Sequence, residues 1–498
     1  MIPLDFAVIF LIIIQAVKLI INNEMVIYYQ SLLKFLVLSL WMVSVRNLCR
    51  NDLKRTLKCI YNIFSFILFL VILFLLKDRF SLYRFYNSVV FTIFISTLIC
   101  FLILYDLHYR CSYFSKITAI TLLILNLAFA IYFSSRTSFV IIIITLFFLI
   151  KSRYSINLSN LLIAPILVGI ILYISFTFKI DSSFGRLFIW KNSLSILGDN
   201  WIDGVGLGRF PRVFMEYQQT LVKNLSFDNK YFLLAGNTSF AYNDVLEFMC
   251  KLGVLPFVIL ISSFLYSYYR PIRNKQIVNK VLVILFISSL LNYILQVIYF
   301  QLIMIVLISS LNYPLQKYRY KCKNLFIISF ILFILVGCSV LFYFKYKSYK
   351  NITSEIPLEY SSFSLFLSDN PDYLWKYANS NFLNHNYSAT ISALNIVEHY
   401  AKNYDSEYLY AKTYNELGQY RLTEQHLINS INMYPSKYAC RYELFLLYKK
   451  MQRYDDAAKV AKEIIDMPQK IPTGLSFFII ESAKNYIEEY ESRYNIYK

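Results

Sequence analysis

The chain has 498 residues, of which 58% are hydrophobic and 18% aromatic, and its mean hydropathy is +0.50. A soluble protein of this length has nowhere to bury so much apolar surface, so the composition excludes an ordinary soluble enzyme and points to a polytopic membrane protein. The formal charge of +19 lies in short loops between apolar runs, where the positive-inside rule accounts for it without nucleic acid.

In chain order, runs that reach or approach the length of a bilayer crossing fall at about 3–21, 31–46, 58–76, 87–105, 117–133, 137–150, 159–178, 253–269, 281–297, 299–313 and 325–344. Lipid offers no partner to backbone N–H and C=O groups, so these runs must be helices. The expectation is an all-α polytopic domain over 1–344 with about 11 spans. The first run lacks a charged n-region and a clear cleavage site, and reads as a retained span. If the spans alternate, the basic loops around 46–58, 110–116, 151–153, 270–280 and 317–323 share one side, which is the cytoplasm. The N-terminus is then inside, and a large loop at 179–252 and everything after residue 345 lie outside.

Two places break the rule. The outer loop with Lys77, Arg79 and Arg84 is basic, and Arg136 sits in the tight Ser134-Ser135-Arg136-Thr137 connection. An arginine wedged between two apolar runs is costly and needs a partner. Guanidinium grips anions well through bidentate geometry.

The outer loop carries the most distinctive residues: Arg186 and Trp190, then Asp203-Gly204-Val205-Gly206-Leu207-Gly208-Arg209-Phe210, then Tyr242-Asn243-Asp244. The glycines lack the preceding strand of a dinucleotide fingerprint. They read either as a turn that brings backbone to the membrane surface or as a ligand contact. Trp190 reads as an interfacial anchor or a sugar platform, and Arg212 as a solvated charge or an anion contact.

Past residue 345 tyrosine, asparagine and charge replace the apolar runs. His385-Asn386-Tyr387, Gly418-Gln419-Tyr420 and Gln452-Arg453-Tyr454 recur at intervals of 33 and 34 residues, and Pro435 and Pro468 follow at matching offsets. The units read helix–turn–helix, and a tetratricopeptide repeat, which they resemble, wants small residues for helix packing where Ala457 and Ala461, and similarly Thr423 and Ser430, stand. This period resembles the tetratricopeptide repeat, so 345–498 is expected to be a soluble α-solenoid. A degenerate unit at 345–370 and a capping helix at 475–497 complete it. The eight cysteines include no CxxC pair, so neither a zinc site nor a disulfide framework is indicated.

The pattern Arg-x-x-x-Trp, Gly-Val-Gly-Leu-Gly-x-Phe and Asn-Asp-x-Leu ahead of Leu252-Gly253 and a new span resembles the O-antigen ligase and polymerase superfamily, as does the Ser135-Arg136 connection. The resemblance covers roughly residues 110–313, and a tetratricopeptide tail is seen in some members. It implies a multi-pass glycosyltransferase of the bacterial inner membrane, with its loop and C-terminal domain extracytoplasmic. Such an enzyme takes a glycan from an undecaprenyl-pyrophosphate carrier to an acceptor glycan, lipid or protein, without cofactor and, for the ligases, without metal. Arg136, Arg186 and Arg209 would then stabilise the charge that grows on the departing pyrophosphate. Trp190, Gly204, Gly206, Gly208 and Asn243 complete the loop motif. Ligases of that family carry a histidine just before the Asn-Asp pair; here Tyr242 stands there. No histidine occurs between His108 and His385. Lys251 likewise replaces a usual glutamate. A general base would have to be Asp244 or, second, Glu247. Three readings stay open: ligase or polymerase of surface polysaccharide; protein O-oligosaccharyltransferase whose repeats bind acceptor or envelope proteins; and non-catalytic scaffold or transporter.

Overall fold

In the computed structural model the residues described are 53–77, 88–110, 112–153, 169, 173, 180–206, 208–223, 225–269, 275–311 and 371–496. The expected spans at 3–21, 31–46, 159–178 and 325–344, the basic loop at 317–323, Arg79, Arg84, Leu207 and the stretch 345–370 lie outside them. All regular structure among the described residues is helical. The helices are α1 (Leu53–Lys77), α2 (Ser88–Tyr109), α3 (Tyr113–Tyr132), α4 (Arg136–Arg153), α5 (Ile180–Asp199), α6 (Phe210–Val222), α7 (Lys230–Leu234), α8 (Asp244–Leu252) and α9 (Val254–Tyr269). They continue with α10 (Gln276–Leu291), a 3-10 turn (Ile294–Gln296), α11 (Ile298–Leu311), α12 (Pro371–Leu383), α13 (Tyr387–Ala401), α14 (Tyr404–Glu416), α15 (Tyr420–Met433), α16 (Tyr438–Lys450), α17 (Tyr454–Asp466) and α18 (Gly474–Ile496). The chain divides into two compact units, with boundaries at Trp190/Lys191 and Phe240/Ala241.

The first unit is built around α2, which packs against α1, α3, α4 and α10. This helix is apolar on every side, as a helix enclosed by neighbours must be. Two of its polar side chains are satisfied at short range. Thr97 bonds back to the Ile93 carbonyl at 2.8 Å, and Ser96 donates to Asn126 of α3 at 2.7 Å, pinning the two helices together. In contrast, α3 turns an apolar face outward: Ile120, Ile124 and Ile131 are each 60% exposed or more. By length and composition, Val89–Tyr109 and Tyr113–Tyr132 are long and apolar enough to cross a membrane. Shorter apolar helices run at Thr56–Phe69, Arg136–Ile150, Val254–Tyr266, Gln276–Leu291 and Phe300–Ser309. The run expected at 281–297 is not one helix. It stops at Leu291, where Asn292 turns to extended backbone (φ −158°, ψ 179°), and α11 starts after the 3-10 turn.

The second unit is a row of helical hairpins, α12/α13, α14/α15 and α16/α17, followed by α18 packed on α17. Each hairpin turns at the recurring triplet. His385, Gly418 and Gln452 all have left-handed φ, at 59°, 72° and 59°, a conformation that only glycine adopts without penalty. Thr423, Ser430, Ala457 and Ala461 are buried, which lets the helices approach. The middle of the outer loop, Lys191–Phe240, belongs to this unit. Helix α6 packs against α13 and α15, and its Phe210, Phe214, Gln218 and Val222, spaced four apart, are buried. Phe232 of α7 joins the core formed by Ala411, Leu427, Phe445 and Ile464.

Candidate functional site

The polar residues of the first unit gather where α4, α5 and α8 meet the break between α10 and α11. Helix α3 closes on itself at Ser134, whose left-handed φ of 49° lets the Ser135 N–H reach the Ala130 carbonyl at 3.0 Å. Ser135 immediately precedes α4 and its hydroxyl lies 2.9 Å from that of Ser138. Arg136 is therefore fixed at the first turn of α4, only 7% exposed. Its guanidinium donates to Ser183 Oγ at 2.6 Å and Ser182 Oγ at 2.9 Å on α5.

On α5, Ser183, Arg186 and Trp190 are three and four apart and share a face. Arg186 donates to the carbonyl of Leu291, the last residue of α10, at 2.6 Å. A cation here also complements the negative end of that helix. The guanidinium lies 5.5 Å from the centroid of the Tyr242 ring. Its other N–H groups have no hydrogen-bond acceptor among the described residues. Burial pushes Arg186 down to about 10, and the nearby Arg136 guanidinium pushes the same way, while the Tyr242 and Tyr293 phenols oppose both. It stays protonated at neutral pH, with no carboxylate among those charged neighbours.

Tyr242 has a left-handed φ of 52°, and its ring meets Tyr293 edge-on at 5.2 Å. Asn243 caps α8, its Oδ1 accepting the Leu246 N–H at 3.1 Å. Asp244 is 2% exposed, and its Oδ2 accepts the Leu295 N–H at 2.8 Å, satisfying backbone that the helix break leaves without an α-helical partner. Burial holds Asp244 well above the ordinary carboxylate range; the Leu295 bond opposes that shift and Glu247 adds to it. Glu247 is fully buried. It pairs with Lys251 at 2.6 Å and accepts the Ala241 N–H at 2.8 Å. Trp190 Nε1 donates to the Ala241 carbonyl at 3.0 Å, so the indole acts within the fold and is tied to the start of the Tyr242 segment.

Of the residues singled out in the sequence, Arg136, Arg186, Trp190, Asn243 and Asp244 thus belong to one polar region of the first unit. Arg209, Gly204, Gly206 and Gly208 belong to the second unit. Gly204 and Gly206 have φ of 63° and 98°, and the Gly204 N–H closes onto Asn200 at 2.8 Å; backbone geometry alone accounts for those two glycines. Burial lowers Arg209 below its ordinary value, Arg212 adding and Glu216 opposing. Arg212 pairs with Glu216 one turn along α6 at 2.9 Å. Sequence reasoning missed Ser182, Ser183, Tyr293 and the Leu291 carbonyl. The serines had a signal, since they lie three and four residues before Arg186. Tyr293 had only the polar interruption Asn292-Tyr293 in an apolar run.

Among the described residues no group of three or more His, Cys, Asp or Glu side chains could hold a metal ion. Comparison with family models, curated proteins and solved structures gave no match to this chain. The site's own chemistry is therefore what speaks to function. It offers two adjacent, mostly buried guanidiniums, one with free donors, framed by phenols and a helix C-terminus. Such an arrangement suits an anion with more than one charged oxygen.

Proposed function

We propose that this chain is a membrane glycosyltransferase that moves a glycan from an undecaprenyl-pyrophosphate carrier to an acceptor outside the cytoplasmic membrane, as a ligase or polymerase of surface polysaccharide. The observation that carries this reading is the pair Arg136 and Arg186: two like charges held side by side, Arg186 with donors to spare and no carboxylate among its charged neighbours. Burying two cations together is unfavourable unless an anion arrives. A pyrophosphate supplies that anion, and its charge grows as the glycosyl bond breaks, so fixed guanidiniums stabilise the transition state more than the ground state.

The finer architecture belongs to the same proposal: about 11 spans, the N-terminus inside, and the loop and a tetratricopeptide-like array outside. The outward face of α3 supports a lipid neighbour. Ile117, Ile120, Ile124, Leu127 and Ile131 are all exposed, a contiguous apolar face that is costly in water and costs nothing in a bilayer. The hairpins of the second unit support the array, and the left-handed turn shared by its triplets marks one repeated unit. Protein O-glycosylation is the second reading, favoured by that array, because stacked helical hairpins offer an extended surface for an acceptor protein.

The test is transfer by purified protein in detergent from an undecaprenyl-pyrophosphate-linked oligosaccharide. Wild-type protein is expected to release undecaprenyl pyrophosphate as glycan moves, and Arg136→Ala and Arg186→Ala to abolish it while inserting normally. Unchanged glycan profiles in strains carrying both variants would remove the proposal. Loss of glycoproteins with intact surface polysaccharide on deletion selects the protein-acceptor reading.

A further inference from the structure

The Tyr242 backbone is left-handed, an unfavourable state for an aromatic residue, and such outliers persist only where the surroundings impose them. The preceding residue, Ala241, is gripped on both sides. The Ala241 N–H is held by Glu247 at 2.8 Å and its carbonyl by Trp190 Nε1 at 3.0 Å, with Ala241 itself fully buried. Glu247 cannot swing away, because Lys251 holds its other oxygen at 2.6 Å and is anchored in turn on Gln296 Oε1 at 3.3 Å. With the peptide groups on both sides of Ala241 held and Asn243 committed to capping α8, Tyr242 bridges the two in its left-handed turn.

What the strained turn achieves is visible at Arg186. Arg136 repels this guanidinium, which needs opposing attractions to stay where it is. The structure supplies two: the Leu291 carbonyl at 2.6 Å and the face of the Tyr242 ring, 5.5 Å from its carbon centre. Tyr293, 8% exposed, backs the ring edge-on at 5.2 Å and stops it tipping.

We propose that Tyr242 is a positioning residue for Arg186: Trp190, Glu247 and Lys251 lock its backbone so that its ring aims the guanidinium at the pyrophosphate of a polyprenyl-linked donor. This rests on the reading of Arg136 and Arg186 given above. It assigns Trp190 to the support of the site, and it makes the ring face, not the hydroxyl, the working part of Tyr242.

The experiment measures binding of undecaprenyl pyrophosphate to the full chain in detergent, with thermal melting and donor KM and kcat alongside. Glycine is at ease at the left-handed position, so Tyr242→Gly is expected to melt no lower than wild type yet bind about tenfold more weakly, as loss of a desolvated cation–π contact implies. Tyr242→Phe, which keeps the ring face, is expected to restore most of that affinity. Trp190→Phe frees the Ala241 carbonyl and is expected to weaken binding several-fold, in donor KM more than in kcat. Wild-type affinity in Tyr242→Gly overturns the positioning role, and Tyr242→Phe as weak as Tyr242→Gly overturns the ring-face account. Failure of wild-type protein to bind undecaprenyl pyrophosphate removes the reading of the site itself, which the variants leave standing when only they misbehave.

Discussion

The side-chain amide of Gln218 donates to the main-chain carbonyl of Met433 at 2.7 Å, across 215 positions of sequence. Met433 ends α15, so this bond satisfies a carbonyl that the helix leaves open. The same nitrogen donates to the Gly236 carbonyl at 3.1 Å, and Gln218 is fully buried. Replacing it with alanine strips buried carbonyls of their donor, at a cost of about 1–3 kcal/mol. Gln218→Ala is expected to lower the melting temperature of the second unit, read by circular dichroism or by protease sensitivity between 371 and 496. No change in either measure contradicts the role assigned to this side chain.

At the candidate site, Arg186→Lys separates charge from geometry. Lysine keeps the charge but cannot reach the Leu291 carbonyl and a bidentate anion together. Transfer is expected to fall about 10²-fold or more, the loss seen when one preorganised transition-state donor is removed. A lysine variant with normal turnover shows that charge alone suffices.

Asp244 has a different expectation. It is buried, one of its two carboxyl oxygens accepts the Leu295 N–H, and asparagine can accept the same bond. Asp244→Asn is therefore expected to change kcat only a few-fold, whereas loss of a general base costs about 10²–10⁴-fold. A decrease of that size in a folded protein would assign Asp244 the role of base.

The pH dependence of the second unit follows from Glu407. Burial raises its pKa, but the hydrogen bond from His426 at 2.7 Å and the Lys402 ammonium at 3.2 Å outweigh it, and the net shift is downward. A carboxyl whose folded pKa lies below its unfolded value of about 4.3 contributes stability that is fully present above that value. The contribution is lost as pH falls through the lower, folded value. Wild type is expected to lose melting temperature more steeply than Glu407→Gln as pH falls below about 4.3. Parallel melting curves would show that the pair contributes nothing.

Gln452 offers a gain. It occupies a left-handed turn where the equivalent residue of the neighbouring hairpin is Gly418. Gln452→Gly is expected to stabilise the unit by up to about 1 kcal/mol, relief of the left-handed penalty less the entropic cost of glycine. Denaturant midpoints of the two proteins decide it.

The parts of the molecule that repeat or alternate were readable in the chain. The triplets at His385, Gly418 and Gln452 announced three hairpins because a turn must recur wherever its geometry does, and among the described residues the apolar runs are helical, apart from the break inside 281–297. The interruption at Asn292 was not readable. Asp244, 51 residues away from Leu295, accepts the N–H that the break leaves open, and hydropathy carries no trace of such a partner. Arg136 and Arg186 stood out as charges in costly places. Tyr242 stood out only through the resemblance, as the place where ligases of that family carry a histidine, since a left-handed backbone dihedral leaves no mark in residue spacing. Helix α6 buries Phe210, Phe214, Gln218 and Val222, and a glutamine in that row interrupts the apolar period by which a buried helix face is recognised.

The placement of Lys191–Phe240 within the second unit has a practical bearing on chimaeras. A cut at residue 344 looks like a clean domain boundary in the chain, yet it removes the partners of α6 and of Phe232. It leaves their apolar faces bare in a protein that otherwise retains every residue of its site. Loss of activity after such a truncation would report a misfolded loop, not the absence of an acceptor-binding module. Exchange of tails between related chains becomes interpretable only when 191–240 travels with the repeats as one cassette, spliced at three junctions and not at one.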